Sequence, residues 1–336
     1  MRTISRLSAV LLKILLAAGL VAWMVRGGKL DLAQVAAAAL RPAELLAAAA
    51  LLFATVPVSA WRWRVLLHAQ GLRLSFKDTL SLTMIGLLFN TVIPGAVGGD
   101  VIKAYYIAGR AAGKKAHAVT TIVVDRLMGL FTLLVAALAG GLWSSHLVLR
   151  SHPLTVLCGI VFGAVVVIGA GFAAAILFSG WTTVTLERMS RRVPVLRFFS
   201  RCAAALAEYG KVPSALARAF AIGLPCPFLG SLAFYFSLRA LGISAPLEVL
   251  IFTYPLGIVT TALPITPAGL GVGQAAFYGL FQTVFPGRGA EGANAFTVYL
   301  FVMLFIYLIG LYPYLTYRSK IDSAAVVVDV MPPNRL

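Results

Sequence analysis

The sequence predicts an all-α polytopic membrane protein, and three properties of the chain lead to this fold class. Hydrophobic residues make up 60% of the chain, charged residues 12%, and the mean hydropathy is +0.94. Several apolar runs reach the ~20 residues with which a helix crosses a hydrocarbon core of ~30 Å. No polar stretch is long enough for a separate soluble domain. We therefore predict one membrane domain over residues 1–320, with about six full spans, two inverted re-entrant helical hairpins and a disordered tail, 321–336.

The chain has an excess of basic residues, 28 Lys and Arg against 11 Asp and Glu. We interpret this excess as an interaction with a membrane surface rather than with a nucleic acid. The basic residues cluster in loops between apolar runs, as expected for cytoplasmic loops beside anionic lipid. We expect no nucleic-acid partner, and we place the protein in the bacterial cytoplasmic (inner) membrane with both termini in the cytoplasm. We also expect no cofactor or metal, because no metal-ligand or redox spacing relates the three cysteines, Cys158, Cys202 and Cys226.

The first two spans follow from apolar runs and their flanks. Leu7–Val25 is the first predicted span and Pro42–Ala60 the second. The second ends at Trp61-Arg62-Trp63-Arg64, whose aromatic and basic side chains are typical of an anchor at the membrane interface. Together with Arg73 and Lys77, these arginines predict that the following loop is cytoplasmic.

The apolar segment Thr79–Ala108 is interrupted at its centre. Pro94 lacks an amide donor, and Gly98 and Gly99 favour irregular backbone, so a continuous helix is not expected. Irregular backbone cannot face lipid, because its amides would stay unpaired. Each half is about 22 Å long at ~1.5 Å per residue, and basic loops lie on both sides. A re-entrant hairpin from the cytoplasm, with Asn90 bonded to its break, fits best, and two short tilted spans are the alternative.

The next predicted span, Ala116–Trp143, carries two adjacent charges, Asp125 and Arg126. Asp125 lies ~13 Å along the helix from the cytoplasmic end, close to the middle of the bilayer. Adjacent helical residues point in different directions, so each charge needs its own partner. Asp100 and Lys103 are the expected partners, since they lie one helical turn apart on one face. A purely structural network of buried ions is the alternative reading.

Three spans remain in the second half of the chain, Leu154–Phe178, Ala219–Leu241 and Asn294–Tyr317. Between the first two, residues 181–218 interleave arginine with apolar side chains. This composition is typical of helices that lie on an anionic cytoplasmic leaflet. A solvated positive loop is the alternative for this basic interfacial segment.

A second broken region, Glu248–Phe285, repeats the pattern of the first. Few positive charges flank it, so it is expected to enter from the outer side. Its break contains Pro264, Pro267, Gly269, Gly271 and Gly273, and Gln274 starts the second half. Hairpins from opposite leaflets whose tips meet near the midplane are typical of transporters.

These patterns predict a binding site for a lipid headgroup between the two tips. Amides at the start of each half-helix bind phosphate or carboxylate when they are free. Lys103 and Arg126 would neutralise a phosphate, while Asp100 and Asp125 would hold those cations in place. The predicted headgroup-binding residues are Lys103, Arg126, Asp100, Asp125, Gly98, Gly99, Gly271, Gly273 and Gln274. A phosphate-bearing lipid is favoured over a sugar or a metal ion.

Three motifs follow one another along the chain. They are N-x-x-x-P-G-x-x-G-G-D-x-x-K-x-Y from Asn90, D-R-L-x-G from Asp125 and L-P-I-T-P-A-G-L-G-V-G-Q from Leu263. In these motifs the chain resembles the flippase-like transmembrane family that includes the membrane part of lysylphosphatidylglycerol synthases. The resemblance covers about Leu7 to Tyr317. It implies the movement of lipids, aminoacylated phospholipids or polyprenyl-phosphate-linked molecules between leaflets.

Two positions depart from the pattern of that family. Gln274 stands where Glu is common, which puts any role of a carboxylate there in question. Lys103 stands where Arg is usual, which keeps the charge but loses the bidentate geometry. The aminoacyl-transferase domain of the synthases is not seen in the sequence, so we expect that the protein does not itself make lysyl-lipid.

Two other functions stay open at this point. An intramembrane enzyme could use Asp100 or Asp125 as a base on a phospholipid or a polyprenyl phosphate. No P-loop, H-E-x-x-H, zinc spacing or G-x-S-x-G occurs in the chain, and no strong catalytic pair supports an enzyme. An accessory subunit could instead anchor a lipid-synthesis enzyme through residues 181–218.

Overall fold

The computed structural model describes residues 15–92, 98–108, 115–177, 209–261 and 266–316. Within these ranges the regular structure is helical, with two short 3-10 turns and no strand. Helices long and apolar enough to cross a membrane are Pro42–Ala69, Val119–Trp143, His152–Ala174, Pro213–Ala240 and Gly289–Thr316. The predicted all-α polytopic membrane fold is confirmed. These helices correspond to five of the six predicted spans, and the described part of the first is Leu15–Arg26.

In chain order the described helices are α1 (Leu15–Arg26), α2 (Leu32–Ala37), α3 (Pro42–Ala69), α4 (Phe76–Val92), α5 (Gly98–Ala108), α6 (Lys115–Trp143), α7 (Ser145–Val148), α8 (His152–Leu177), α9 (Pro213–Gly223), α10 (Pro225–Ala240), α11 (Leu247–Thr261), α12 (Val272–Val284) and α13 (Gly289–Leu308). The 3-10 turns are Ala38–Leu40 and Pro267–Gly269. The largest hydrophobic core lies where α3, α10, α11, α12 and α13 meet, and it is rich in aromatic rings.

Helix α3 differs from its prediction in where it ends and in the surroundings of Arg62 and Trp63. It starts with Pro42 in its first turn, where a missing amide costs nothing, and it continues to Ala69 rather than ending at Ala60. Trp61 is exposed, as an interfacial anchor would be, but Arg62 and Trp63 are buried in the helix bundle. These two side chains therefore pack inside the bundle, with partners on α6, and do not form an outward-facing anchor. Their position at the membrane interface stays a prediction.

Helices α4 and α5 form an antiparallel helical hairpin. The amide of Gly99 donates to Asn90 Oδ1 at 2.9 Å across the break, and a Cβ on Gly99 would collide with the carbonyl oxygen of Gly86. The arms have 17 and 11 residues, about 26 and 17 Å, so each is shorter than a hydrocarbon core of ~30 Å. The tip itself, with Pro94, lies outside the described residues.

Helices α11 and α12 form a second hairpin around the turn Pro267–Gly269. Gly257 on α11 lies against the ring of Phe277 on α12. The arms have 15 and 13 residues and are again short for a full crossing. Gly269 and Gly271 have positive φ, which glycine adopts without strain, so the chain can reverse here. Ala268 also has positive φ, a conformation that is uncommon for other residues. Pro264 lies outside the described residues.

The two hairpins open toward opposite ends of α6. Asp100, at the tip end of α5, pairs with Arg126 in the first half of α6, so α5 runs back toward the start of that helix. At the other end, Ser144 just after α6 donates to the carbonyl of Glu248, where α11 begins. The turn of the second hairpin packs against α4 of the first. Insertion of the hairpins from opposite faces of a membrane remains a prediction.

The end of the predicted basic interfacial segment belongs to the bundle. Residues 213–218 form the first turns of α9, where Ala215 and Leu216 are buried against neighbouring helices. Helices α9 and α10 adjoin at Leu224, which keeps helical φ and ψ, and together they form the span Pro213–Ala240. Residues 181–208 and the predicted tail, 321–336, lie outside the described residues.

Candidate functional site

Helices α3 and α6 are joined by a buried ion pair. The Arg62 Nε atom donates to Asp125 Oδ1 at 2.8 Å, and both side chains are largely shielded from solvent. Two glycines make room for the arginine: a Cβ on Gly129 would lie 3.4 Å from its guanidinium, and one on Gly223 would lie 3.2 Å from its Cδ. Removing either member of such a pair would leave an uncompensated buried charge, which is strongly destabilising.

A second ion pair joins α5 to α6 and is more open. Arg126 donates through Nε and Nη2 to the two carboxylate oxygens of Asp100, each at 2.9 Å. This is the bidentate geometry that makes arginine–carboxylate pairs strong. The Arg126 side chain is 50% exposed and that of Asp100 16% exposed. Tyr307 on α13 lies close enough to Arg126 to interact electrostatically.

Lys103 lies between the two pairs and has no carboxylate partner among the described residues. It is 8% exposed. Its ammonium lies 4.5 Å from the centre of the Trp63 ring, a cation–π contact. A Cβ on Gly86 would lie 2.5 Å from the Cε atom of Lys103, so the absence of a side chain on Gly86 leaves room for the lysine side chain. Lys103 is electrostatically coupled to both pairs.

We call Arg62, Asp100, Lys103, Asp125 and Arg126 the charge cluster. It contains three cations and two carboxylates, so it carries one uncompensated positive charge. An ionisable group at membrane depth is costly and normally marks a functional site. An anionic group of a ligand would complete the pairing. Within the described residues, no group of three or more His, Cys, Asp or Glu could hold a metal ion.

The sequence predicted part of this cluster correctly. Asp100 pairs with Arg126, as expected, and Lys103 lies near both. The partner of Asp125, however, is Arg62, which sequence reasoning had placed at the membrane interface. The available signal was the apolar run Val65-Leu66-Leu67 beyond the arginine, which makes Arg62 an internal residue of a longer helix.

The backbone amides expected to face a headgroup are partly occupied. The Gly99 amide is bonded to Asn90, and the Gly271 amide donates to Oε1 of Gln274 at 2.6 Å. The expectation of free amides is therefore wrong at these two glycines. A side-chain acceptor nearby in the chain satisfies each amide locally, because a buried unpaired donor costs ~1–3 kcal/mol. Gly98 is a buried residue at the start of α5.

The second hairpin is built by packing rather than by charge. Gly273 lies against the ring of Phe296 on α13, and Gly271 lies against Ala17 and Leu20 on α1. Gln274 is buried and caps its own helix. No hydrogen bond or ion pair of the described residues links this hairpin to the charge cluster. Its part in binding a headgroup stays a prediction.

Comparisons with known proteins place the chain in a family. The model of the lysylphosphatidylglycerol synthase TM region matches residues 10–313. The chain belongs to this family. A UPF0104 membrane protein of Methanothermobacter thermautotrophicus is 25% identical to it over 288 residues, 78% of this chain and 80% of the relative. A second from the same organism is 22% identical over 248 residues, 68% and 72% of the two chains.

A further relative, a UPF0104 membrane protein of Pyrococcus horikoshii, is 25% identical over 115 residues, 33% of this chain and 34% of the relative. No solved structure matches the chain. The family membership confirms the resemblance seen in the three motifs. In the structure, two of these motifs supply four of the five members of the charge cluster, and Arg62 supplies the fifth.

Proposed function

We propose that this protein moves a phosphate-bearing lipid between the two leaflets of the bacterial cytoplasmic membrane, with the headgroup bound at the charge cluster. The lipid is a phospholipid, an aminoacyl-phospholipid or a polyprenyl-phosphate-linked molecule. The observation that carries the proposal is the excess positive charge at Lys103, buried among helices of a membrane protein beside two satisfied ion pairs.

The charge of the cluster favours a phosphate over a neutral headgroup. A lysine removed from water without an anionic partner loses hydration that the Trp63 ring replaces only in part. A sugar hydroxyl would leave the net charge unchanged. A phosphate brings both a negative charge and several acceptor oxygens, so it compensates the cluster and accepts hydrogen bonds from its cations.

Because the Arg126 side chain is exposed, a headgroup can reach the charge cluster from outside the helix bundle. This side chain lies in the first half of a membrane-crossing helix, yet half of it is accessible from outside the bundle. Beside it, the described part of α5 covers only 11 residues, about 17 Å. A headgroup can approach laterally at this point while its acyl or prenyl chains stay in the bilayer. The two hairpins, inserted from opposite faces, would thin the barrier that the headgroup crosses.

The family supports a role in lipid biology, since its description refers to the membrane region of a phospholipid-modifying synthase. The names of the relatives refer only to membrane proteins. Both termini are proposed to be cytoplasmic, on the basis of the basic loops between the spans.

The test is leaflet transfer by the purified protein in vesicles. Labelled phosphatidylglycerol and a labelled polyprenyl phosphate are placed in one leaflet, and an impermeant quencher reports the other. Lys103→Ala should slow transfer about tenfold or more, because it removes the uncompensated positive charge of the cluster, and an interaction of a charged group contributes ~1.5–3 kcal/mol. Arg73→Ala, which removes an exposed cation outside the cluster, should transfer normally. Equal transfer by the wild type and Lys103→Ala would refute the proposal.

The same preparation separates the two other functions. Formation of a new lipid product in detergent, where leaflets do not exist, would indicate an intramembrane enzyme. Recovery of a stable lipid-synthesis partner, with no transfer by the protein alone, would indicate an accessory subunit.

A further inference from the structure

We infer that Asp100 is an exchanging counter-ion: it occupies Arg126 when the site is empty, and it moves to Lys103 when a ligand phosphate takes its place on Arg126. This inference rests on the proposed function, because it states how the headgroup binds there. It assigns the ligand to Arg126 and gives Lys103 the role of receiving Asp100.

The first support is the geometry of Arg126. Its Nε and Nη2 atoms hold the two oxygens of Asp100 in parallel hydrogen bonds. A phosphate presents a similar pair of oxygens to the same guanidinium fork. Arg126 is also the cluster's most accessible cation, half exposed where Lys103 and Arg62 are buried. An incoming phosphate therefore meets Arg126 first and competes with Asp100 for it.

The second support is a place for the displaced carboxylate. Lys103 lies three residues after Asp100 on α5, and side chains at this spacing lie on one helix face within reach of each other. Lys103 interacts electrostatically with Asp125 first and with Asp100 more weakly, and it makes no ion pair among the described residues. Since Asp125 is already bonded to Arg62, Asp100 is the carboxylate that can move to the lysine. Rotation about side-chain bonds is enough for Asp100 to change partners, so the backbone of α5 need not move.

The third support is that the other carboxylate is fixed. Asp125 is held by Arg62, whose guanidinium is enclosed by Gly129 and Gly223. Both glycines lie close to the Arg62 side chain, and the members of this pair are more deeply buried than Asp100. Asp125 therefore serves as a permanent counter-ion, whereas Asp100 is free to exchange.

The exchange leaves every charge paired in the bound state. The phosphate is on Arg126, Asp100 on Lys103 and Asp125 on Arg62, three cations with three anions. A monoanionic phosphodiester gives zero net charge, whereas a dianionic phosphomonoester leaves an excess negative charge at low dielectric. Asp100 also aids release, because its return to Arg126 competes with the ligand. Passage requires binding that is favourable enough to admit the headgroup and weak enough to release it.

The test is a double-mutant cycle on binding, with phosphatidylglycerol titrated onto the detergent-purified full chain and counted by native mass spectrometry. Asp100→Asn should bind phosphatidylglycerol about tenfold more tightly, because a competing anion is gone, and it should transfer the lipid more slowly. Lys103→Met should weaken binding in the native background, where Asp100 loses its alternative partner, and should change it little in the Asp100→Asn background.

Equal weakening by Lys103→Met in both backgrounds would overturn the inference, since Lys103 would then bind the phosphate directly. Weaker or unchanged binding by Asp100→Asn would overturn it as well, since Asp100 would only position Arg126. Glu291→Gln is the matched control, because it neutralises the carboxylate of an arginine pair outside the cluster. Tighter binding by Asp100→Asn with no transfer even by the wild type would keep the exchange and reject the transport function.

Discussion

At the scale of single residues, the Arg62–Asp125 pair shows how a buried charge constrains the protein. Its two members come from helices far apart in the sequence, and among the described residues neither has another partner of opposite charge as close. Removing one member leaves the other as an uncompensated buried ion, which is more harmful than removing both. We therefore expect that substituting both residues destabilises the protein less than substituting one of them.

The first prediction follows from this. Arg62→Met should lower the free energy of unfolding by about 3–5 kcal/mol, and Arg62→Met combined with Asp125→Leu should recover most of that loss. Unfolding in mixed micelles, followed by circular dichroism, measures both. A double variant no more stable than the single one would contradict the importance of the uncompensated charge.

The second prediction concerns Gly86, which lies against the side chain of Lys103. In Gly86→Ala the new methyl group should push the flexible end of the lysine away from Trp63, so the protein should fold but transfer lipid more slowly. Gly279→Ala is the matched control, since nothing lies within 4 Å of its Cβ position. Normal transfer by Gly86→Ala would show that the placement of Lys103 does not matter.

At the scale of helices, local signals predicted both breaks in the backbone and one of the two hydrogen bonds that satisfy their amides. Proline and glycine positions predicted two short-armed hairpins because these residues act on their own backbone. The predicted bonding of Asn90 to the first break is confirmed by the Gly99 amide, which donates to it. The bond from Gly271 to Gln274 depends on how the second chain reversal closes, which spacing alone does not show. The end of α3 was misplaced for a similar reason, because a partner on α6 allows Arg62 inside the bundle.

The third prediction separates the capping of α12 from a carboxylate function at position 274. Gln274→Glu keeps an acceptor for the Gly271 amide, so stability and transfer should both be retained. Gln274→Leu leaves that amide buried and unpaired, and should cost ~1–3 kcal/mol of stability. Thermal unfolding and leaflet transfer of both variants test this. A large gain in transfer by Gln274→Glu alone would indicate a role for the carboxylate.

At the scale of the whole molecule, the opposite openings of the two hairpins are the main organising feature. The spans themselves could be predicted, since length and hydropathy are summed over many residues. The charge cluster could be predicted only in part, since Arg62 reaches Asp125 through packing of α3 on α6. The membrane face from which each hairpin enters is predicted from the distribution of basic loops. That distribution does not show which residues are in contact.

The fourth prediction addresses this sidedness. In a chain without its native cysteines, Arg73→Cys and Ser244→Cys place a thiol in exposed loops near the open ends of the first and second hairpins. An impermeant maleimide should label the first from the cytoplasmic side and the second from the outer side of oriented membrane vesicles. Labelling of both from one side would exclude an inverted arrangement.

The central claim is that a lipid headgroup binds at the charge cluster, and photo-crosslinking tests it most directly. A phosphatidylglycerol analogue with a photoreactive group in its headgroup is reconstituted with the full chain, and labelled peptides are sequenced. The account predicts labels on α5 around Val101 and Tyr105, whose exposed side chains flank the cluster, and on α6 around Arg126. Labels that avoid both helices, or that persist unchanged in the variant Arg126→Ala, would contradict it.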